Sequence, residues 1–275
     1  MPQQTPRYPN DPLRWVAADV RFPPVDQLTA EVPGDFRASF KERFPVLEPM
    51  AQLALSLGVP GQPGTPPQQI MLHRMLQRDR LTSITLGREG FTLETTDYPG
   101  WTDFSKVLGE VVEQLETAAC PDGVLRIGLR YVDEIRLPTP PATTREWARW
   151  IDPSLMGPLN LGSHEPSTAN IGLQFGEPPG YVTVFRAGPV PRGRSVNQDG
   201  PLRQPFPFPD GPYFLLDTDA SWADPDRQVP PFTRDLICSV FEDLHGRAHE
   251  LFEESVTDDL RTVLRQTREE VWSQG

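Results

Sequence analysis

The sequence predicts an α+β fold in which a mostly antiparallel sheet carries one long helix in each half of the chain. Residues 101–119 place their apolar side chains at helical spacing, so one face of this helix must pack against a sheet. Residues 124–137 then alternate apolar and polar side chains, which is typical of a strand with one covered face and one polar face. The order strand, helix, three strands, helix occurs twice, which suggests a pseudo-duplicated unit.

Local signals define the elements of the first half. A strand over residues 13–22 ends at Pro23-Pro24, and a short helix follows over residues 34–44, where phenylalanines recur every four residues. Further strands are predicted over residues 51–57, 70–77, 81–86 and 91–95. The last two are joined by Gly87-Arg88-Glu89-Gly90, a hairpin signature.

The second half follows a similar order. After the strand over 124–137 come a helical piece over 144–151 and strands over 170–175, 181–185 and 213–220. A long helix is predicted over 231–254 and a final helix over 257–271. The chain is therefore divided into a disordered arm (1–12), a first α+β half (13–123) and a second α+β half (124–275). The two halves form either one continuous domain or two.

Charge and cysteine content limit the classes of function. The formal net charge is −12 and the pI is about 4.8, which disfavours nucleic acid and anionic membrane surfaces and favours a basic protein partner. Cys120 and Cys238 lie far apart and outside any metal-ligand spacing. The polar N-terminus and the lack of a membrane-spanning run predict a cytoplasmic protein, with no cofactor expected.

Several short motifs together resemble one bacterial protein family of similar length. They are Pro23-Pro24, Phe44-Pro45, Tyr98-Pro-Gly-Trp101, Gly128-Leu-Arg-Tyr-Val132, Leu244-His245 and Phe252-Glu-Glu-Ser-Val-Thr257. The family is distributed sporadically among genomes and has no established activity. The resemblance implies an accessory, mobile or defence gene, and it implies Asn where this chain carries Asp133.

Asp133 interrupts the apolar side of its strand. By alternation its side chain points to the same side as Tyr131 and Ile135. A buried carboxylate needs a partner, and its pKa rises when it has none, so Asp133 is a candidate general acid or base. The competing interpretation is a strand-end aspartate that accepts backbone or arginine hydrogen bonds.

The C-terminal long helix carries a stripe of potential metal ligands. Their offsets of three, four and four residues place Glu242, His245, His249 and Glu253 on one side of the helix. A metal-dependent enzyme could use such a stripe, although the chain has no second helix of this kind. The alternative is a boundary histidine beside a solvated face.

Two groups of arginines are candidate binding sites. Arg126, Arg130 and Arg136 share the polar face of the strand over 124–137, and with Tyr131 they suggest a site for a small molecule or nucleotide. Cross-strand ion pairs would explain the same arginines. The long loop over 188–212 is predicted to bind a partner. Its basic residues are Arg192, Arg194 and Arg203.

Searches for nucleotide-binding glycine loops and for a nucleophile elbow find none. The leading hypothesis is therefore a non-enzymatic cytoplasmic interaction protein, of an accessory or defence operon, with a protein partner and with self-association left open. The alternatives are the arginine-lined ligand site and the histidine metal site.

Overall fold

The computed structural model of the chain describes residues 7–28, 31–54, 68–164, 166, 169–176, 178–193, 200–206 and 210–273. The elements of the first half are strand β1 (Leu13–Arg21), helix α1 (Gly34–Phe40), strands β2 (Val46–Ala54), β3 (Gln68–Leu76), β4 (Thr82–Gly87) and β5 (Gly90–Thr95), and helix α2 (Trp101–Ala118). The elements of the second half are strand β6 (Arg126–Ile135), a 3-10 helix (Thr144–Arg149), helix α3 (Pro153–Met156), strands β7 (Ile171–Phe175), β8 (Tyr181–Gly193) and β9 (Gly211–Trp222), and helices α4 (Arg234–Ser255), α5 (Asp258–Leu264) and α6 (Arg268–Trp272).

All nine strands that the structure describes belong to one antiparallel sheet, in the order β2-β3-β4-β5-β1-β6-β9-β8-β7. The first strands of the two halves, β1 and β6, lie at the centre of the sheet and pair with each other. Their pairing begins with Leu13 opposite Asp133 and ends with Arg21 opposite Arg126, and a bulge at Arg14 interrupts it. In each half the remaining strands form a meander, and the last strand of the meander pairs with the first strand of that half. This arrangement agrees with the predicted repeat, although the first meander has four strands and the second has three.

The long helices α2 and α4 lie side by side on one face of the sheet. Their apolar sides meet the row of β1 and β6 side chains that includes Val16, Leu129 and Tyr131. Gly109 of α2 allows close approach, because a Cβ atom there would lie 3.3 Å from the Arg234 guanidinium. The predicted α+β class, with one helix-covered sheet face and one polar sheet face, is confirmed.

A second apolar cluster covers the far end of the same sheet face. It joins β6, β8 and β9 to the 3-10 helix and to α5 through buried residues such as Trp147, Phe185, Phe214 and Leu260. Asp133 lies between the two clusters along β6, where Tyr131 belongs to the first cluster and Ile135 to the second.

Several predicted boundaries differ from the structure. The strand predicted over 51–57 is β2, which begins at Val46, and residues 55–57 lie outside the described residues. Helix α1 ends at Phe40 rather than at residue 44. The predicted final helix is broken into α5 and α6, because Thr267 starts a new helix with a capping box to Glu270.

The predicted loop over 188–212 is shorter than expected. Residues 188–193 extend β8, and residues 211 and 212 begin β9. Pro189 and Pro191 suggested a loop, but the pairing of β7 with β8 ends at Ala187, so a proline beyond that point interrupts no bond to β7.

The predicted disordered arm is also partly ordered. Residues 1–6 lie outside the described residues, but residues 7–12 pack on the C-terminal helices. The backbone amide of Asn10 donates to the carbonyl of Leu264, and the Tyr8 ring packs against Phe252.

Candidate functional site

Arg126 and Arg130 lie on the polar face of the sheet, as predicted, and both are ion-paired. Arg126 contacts Asp19 at 2.9 Å and Asp219 at 3.4 Å. Arg130 binds both carboxylate oxygens of Asp217, at 2.7 and 2.8 Å, and these bonds raise the pKa of its guanidinium. Asp217 also contacts Arg186 at 3.3 Å. Carboxylates of neighbouring strands therefore already neutralise this face.

Arg136 and Tyr131 do not join those arginines. Arg136 is buried, where its Nε atom donates to Glu134 at 3.0 Å and its guanidinium stacks on the Tyr213 ring. Tyr131 points to the opposite, helix-covered face. The predicted four-residue ligand site is thus not assembled in the structure.

Tyr131 instead belongs to a chain of buried polar side chains under the helices. Its hydroxyl lies 3.4 Å from the Tyr98 hydroxyl and 3.0 Å from Nδ1 of His245. The His245 ring stacks on Trp101 with 4.3 Å between ring centroids. The Trp101 indole donates to Glu242 at 2.8 Å. Burial raises the pKa values of both tyrosines and, together with nearby His249, lowers that of His245 to about 4.

The predicted metal stripe has other contacts. Its carboxylates are engaged, because Glu242 accepts from Trp101 and Glu253 accepts from Tyr8 and Arg261. The His245 and His249 rings stack with 6.0 Å between centroids. Among the residues that the structure describes, no group of three or more His, Cys, Asp or Glu side chains is arranged to hold a metal ion.

Asp133 has the environment that the sequence predicts. It is buried on the helix side, and desolvation, together with the charges of Asp11 and Asp217, raises its pKa well above the ordinary aspartate value. It forms no ion pair with another residue in the described part of the chain, and its residue is only 6% exposed.

The predicted partner-binding loop is only partly visible. Arg194 lies outside the described residues, as does the side chain of Arg192. Residues 200–206 contact the turn between β3 and β4 and the end of β5. The Arg203 amide donates to the Arg80 carbonyl, and the Arg203 carbonyl accepts from Thr96. The Arg203 side chain remains exposed.

An exposed sheet edge is the feature that sequence reasoning missed. Strand β7 (Ile171-Gly-Leu-Gln-Phe175) is the last strand of the sheet and carries neither a charge nor a proline. Leu173 and Phe175 are 41% and 45% exposed. They lie on the helix side, because Leu173 pairs with the buried Phe185. The opposite edge, β2, is protected by Glu48 and Pro49.

Helix α4 carries an acidic row, and the first residue of this row contacts β8, the neighbour of β7. Asp243, Glu250 and Glu254 share one side of the helix, since offsets of seven and eleven residues return to nearly the same angle. Asp243 accepts a hydrogen bond from Tyr181 at 2.8 Å, and Arg247 lies over the Tyr181 ring. Tyr181 is the diagonal cross-strand neighbour of Phe175, so the Asp243 end of the acidic row lies on the β8 and β7 side of α4.

Comparison with protein-family models finds no matching family, and comparison with curated proteins finds no significant match. None of the described helices has the length and apolar composition that a membrane span requires.

Proposed function

We propose that this chain is a non-enzymatic protein-interaction module that takes up an extended segment of a basic partner as an added strand along β7. The open, apolar and uncharged edge of β7 is the observation that carries the proposal. The unpaired N–H and C=O groups of an edge strand offer main-chain hydrogen bonds, and its exposed side chains offer pockets for alternate residues of the added strand.

The acidic row of α4 supports a basic partner. From Asp243 to Glu254 this row extends about 17 Å, at 1.5 Å per residue. The five residues of β7 extend about 17 Å as well. An added strand would contact the apolar residues of β7, and the Asp243 end of the acidic row lies on the same side of the sheet. Apolar residues at alternate positions, with Lys or Arg between or beside them, fit this surface.

A second copy of the chain fits less well. Each copy carries a net charge of −12, and a five-residue strand pair is short for a stable dimer, which buries at least about 1,000 Å². Self-pairing of β7 is therefore an outcome against the proposal.

A reducing, cytoplasmic setting is part of the proposal. Both cysteines are free, and Cys120 is exposed, which suits a compartment where disulfides do not form. The accessory or defence setting stays a prediction from the family resemblance.

Site-specific photo-crosslinking in the native host tests the proposal. A photoreactive phenylalanine analogue replaces Phe175 in one variant and Leu161 in a matched control, because Leu161 is also apolar and 77% exposed but lies outside β7. We expect a protein adduct from position 175 only, mapped to a basic segment with alternating apolar residues. A peptide of that segment should protect amides of residues 171–175 from hydrogen exchange.

Three outcomes would overturn the proposal. They are a crosslink from position 175 to a second copy, a crosslink to an acidic or helical segment, and no protein adduct beyond that of the Leu161 control.

A further inference from the structure

A cavity of about 220 Å³ opens beside the first turns of α2, on the helix side of the sheet. Its floor includes Leu93 and the Thr82–Thr95 pair, whose hydroxyl oxygens lie 3.0 Å apart. It is five strands away from β7, which at about 4.8 Å per strand is about 24 Å. We call it the α2 cavity.

The walls of the α2 cavity are apolar and its charged lining residues are both acidic. Phe44, Phe104 and Val107 surround the interior. Asp79 stabilises the turn that contains it, because its Oδ1 atom accepts a hydrogen bond from the Leu81 amide at 3.0 Å. The Asp97 carboxylate is exposed and forms no hydrogen bond or ion pair with another described side chain. The charge of Asp97 also acts on Arg268, whose guanidinium donates to the Asp11 carbonyl and lies over the Phe206 ring.

We infer that the α2 cavity binds a short aliphatic chain that ends in an ammonium or guanidinium group. The apolar walls match the chain, and Asp97 and Asp79 at the lining match the cation. The volume lies below the range of about 300–1,000 Å³ that is typical of ligand pockets, so it suits a chain of a few carbons rather than a nucleotide.

Two sources can supply this chemistry: a free alkylamine or alkylguanidine, and a Lys or Arg side chain of a protein. The test separates them. Binding of agmatine and pentylamine is measured by NMR titration of the full chain, with 1-pentanol as the uncharged control. A capped Gly-Arg-Gly peptide is titrated in the same way. We expect the amines to bind with a Kd on the order of 1 mM, in view of their few heavy atoms, and pentanol to bind at least fivefold more weakly.

Matched variants locate the site. Asp97→Asn should weaken agmatine binding five- to tenfold, whereas Asp103→Asn, an exposed acidic residue of α2 outside the cavity, should leave it unchanged. Val107→Phe should abolish binding by filling the cavity. If Val107→Phe does not fold, Asp97→Asn tests the inference by itself, because substitution of an exposed side chain should leave the fold intact.

Tighter binding of agmatine than of the peptide would identify a small-molecule site, and the reverse would identify a side-chain anchor. No saturable binding of either, equal binding of pentanol and pentylamine, or equal loss in both Asn variants would overturn the inference. None of these results depends on β7, so the α2 cavity and the proposed strand addition fail separately.

Discussion

The Nδ1 atom of His245 lies 3.0 Å from the Tyr131 hydroxyl, which joins α4 to β6 through a partly buried hydrogen bond. Burial raises the pKa of Tyr131 well above its ordinary value and lowers that of His245 to about 4. The tyrosine therefore keeps its proton and the histidine is neutral, and the histidine tautomer decides which of the two donates the hydrogen bond.

This pair makes stability depend on pH. In the unfolded chain His245 titrates near 6.5, whereas in the folded chain it titrates near 4, so between these values only the unfolded state binds the proton. The free energy of unfolding should fall as the pH drops from about 6.5 to 4, with up to about 3 kcal/mol from this residue. Urea denaturation at pH 7, 5.5 and 4.5 measures the effect.

The His245→Gln variant should lose this part of the pH dependence, although it is less stable at pH 7 because the stacking on Trp101 is lost. His164→Gln, at an exposed position, is the control and should keep the wild-type slope. Equal losses of unfolding free energy in the wild type and in His245→Gln between pH 7 and 4.5 would show that His245 is not the group responsible.

Asp133 should destabilise the fold at neutral pH. Its folded pKa is raised, so above the unfolded value of about 3.9 the folded state retains a proton that the unfolded state has lost, and stability decreases as the pH rises. Asp133→Asn keeps the shape without the charge and should raise the free energy of unfolding by about 2 kcal/mol at pH 7. The gain should shrink towards pH 4.5, as measured by urea denaturation.

Asp103→Asn is the control for this gain. Asp103 is exposed in the first turn of α2, where a carboxylate favours the helix, so its substitution should lower the free energy of unfolding at pH 7 by less than about 1 kcal/mol and should not raise it. A loss of stability in Asp133→Asn at pH 7 would mean that the charged carboxylate has a partner after all.

The sequence is sufficient to predict local structure and to predict which face of the sheet the side chains of a strand occupy. Helix α2 and strand β6 were recognisable because each has a strong period of its own, and the same alternation placed Asp133 on the apolar side. These are properties of single segments.

Relations between segments were not predictable. Arg126 and Arg130 look like free cations in the sequence, because their partners Asp19, Asp217 and Asp219 come from other strands at a register that no local pattern specifies. Strand β7 was predicted to be a strand, but its place at the edge follows from the order of all nine. The pairing of Tyr131 with His245 likewise depends on how α4 crosses β6.

Among the ion pairs of the polar face, those of Asp217 should stabilise the fold. This side chain is 7% exposed and binds Arg130 through two bonds, with Arg186 beside it, so Asp217→Asn leaves two cations facing each other. We expect a loss of about 1–2 kcal/mol, limited by the partial exposure of both arginines. Thermal unfolding in 0.05 and 0.5 M NaCl measures the loss, which should be smaller at high salt.

Asp26→Asn is the matched control, because it removes a pair with Arg88 in which Asp26 is 91% exposed, and it should change stability by less than about 0.5 kcal/mol. Equal effects of the two substitutions would show that the polar face adds no more than any exposed ion pair.

The N-terminal residues 7–12 should stabilise the packing of α4 against α5 through the contacts of Tyr8. The Tyr8 hydroxyl donates to Glu253 at 3.0 Å, its ring packs on Phe252, and Glu253 also accepts from Arg261 of α5. Tyr8→Phe removes only the hydrogen bond and should cost about 1 kcal/mol, whereas Tyr8→Ala also removes the ring contact and should cost about 2 kcal/mol. Hydrogen exchange should rise in residues 251–264 of the Ala variant more than in β5. If both variants match the wild type in unfolding and exchange, residues 7–12 lie against the C-terminal helices without stabilising them.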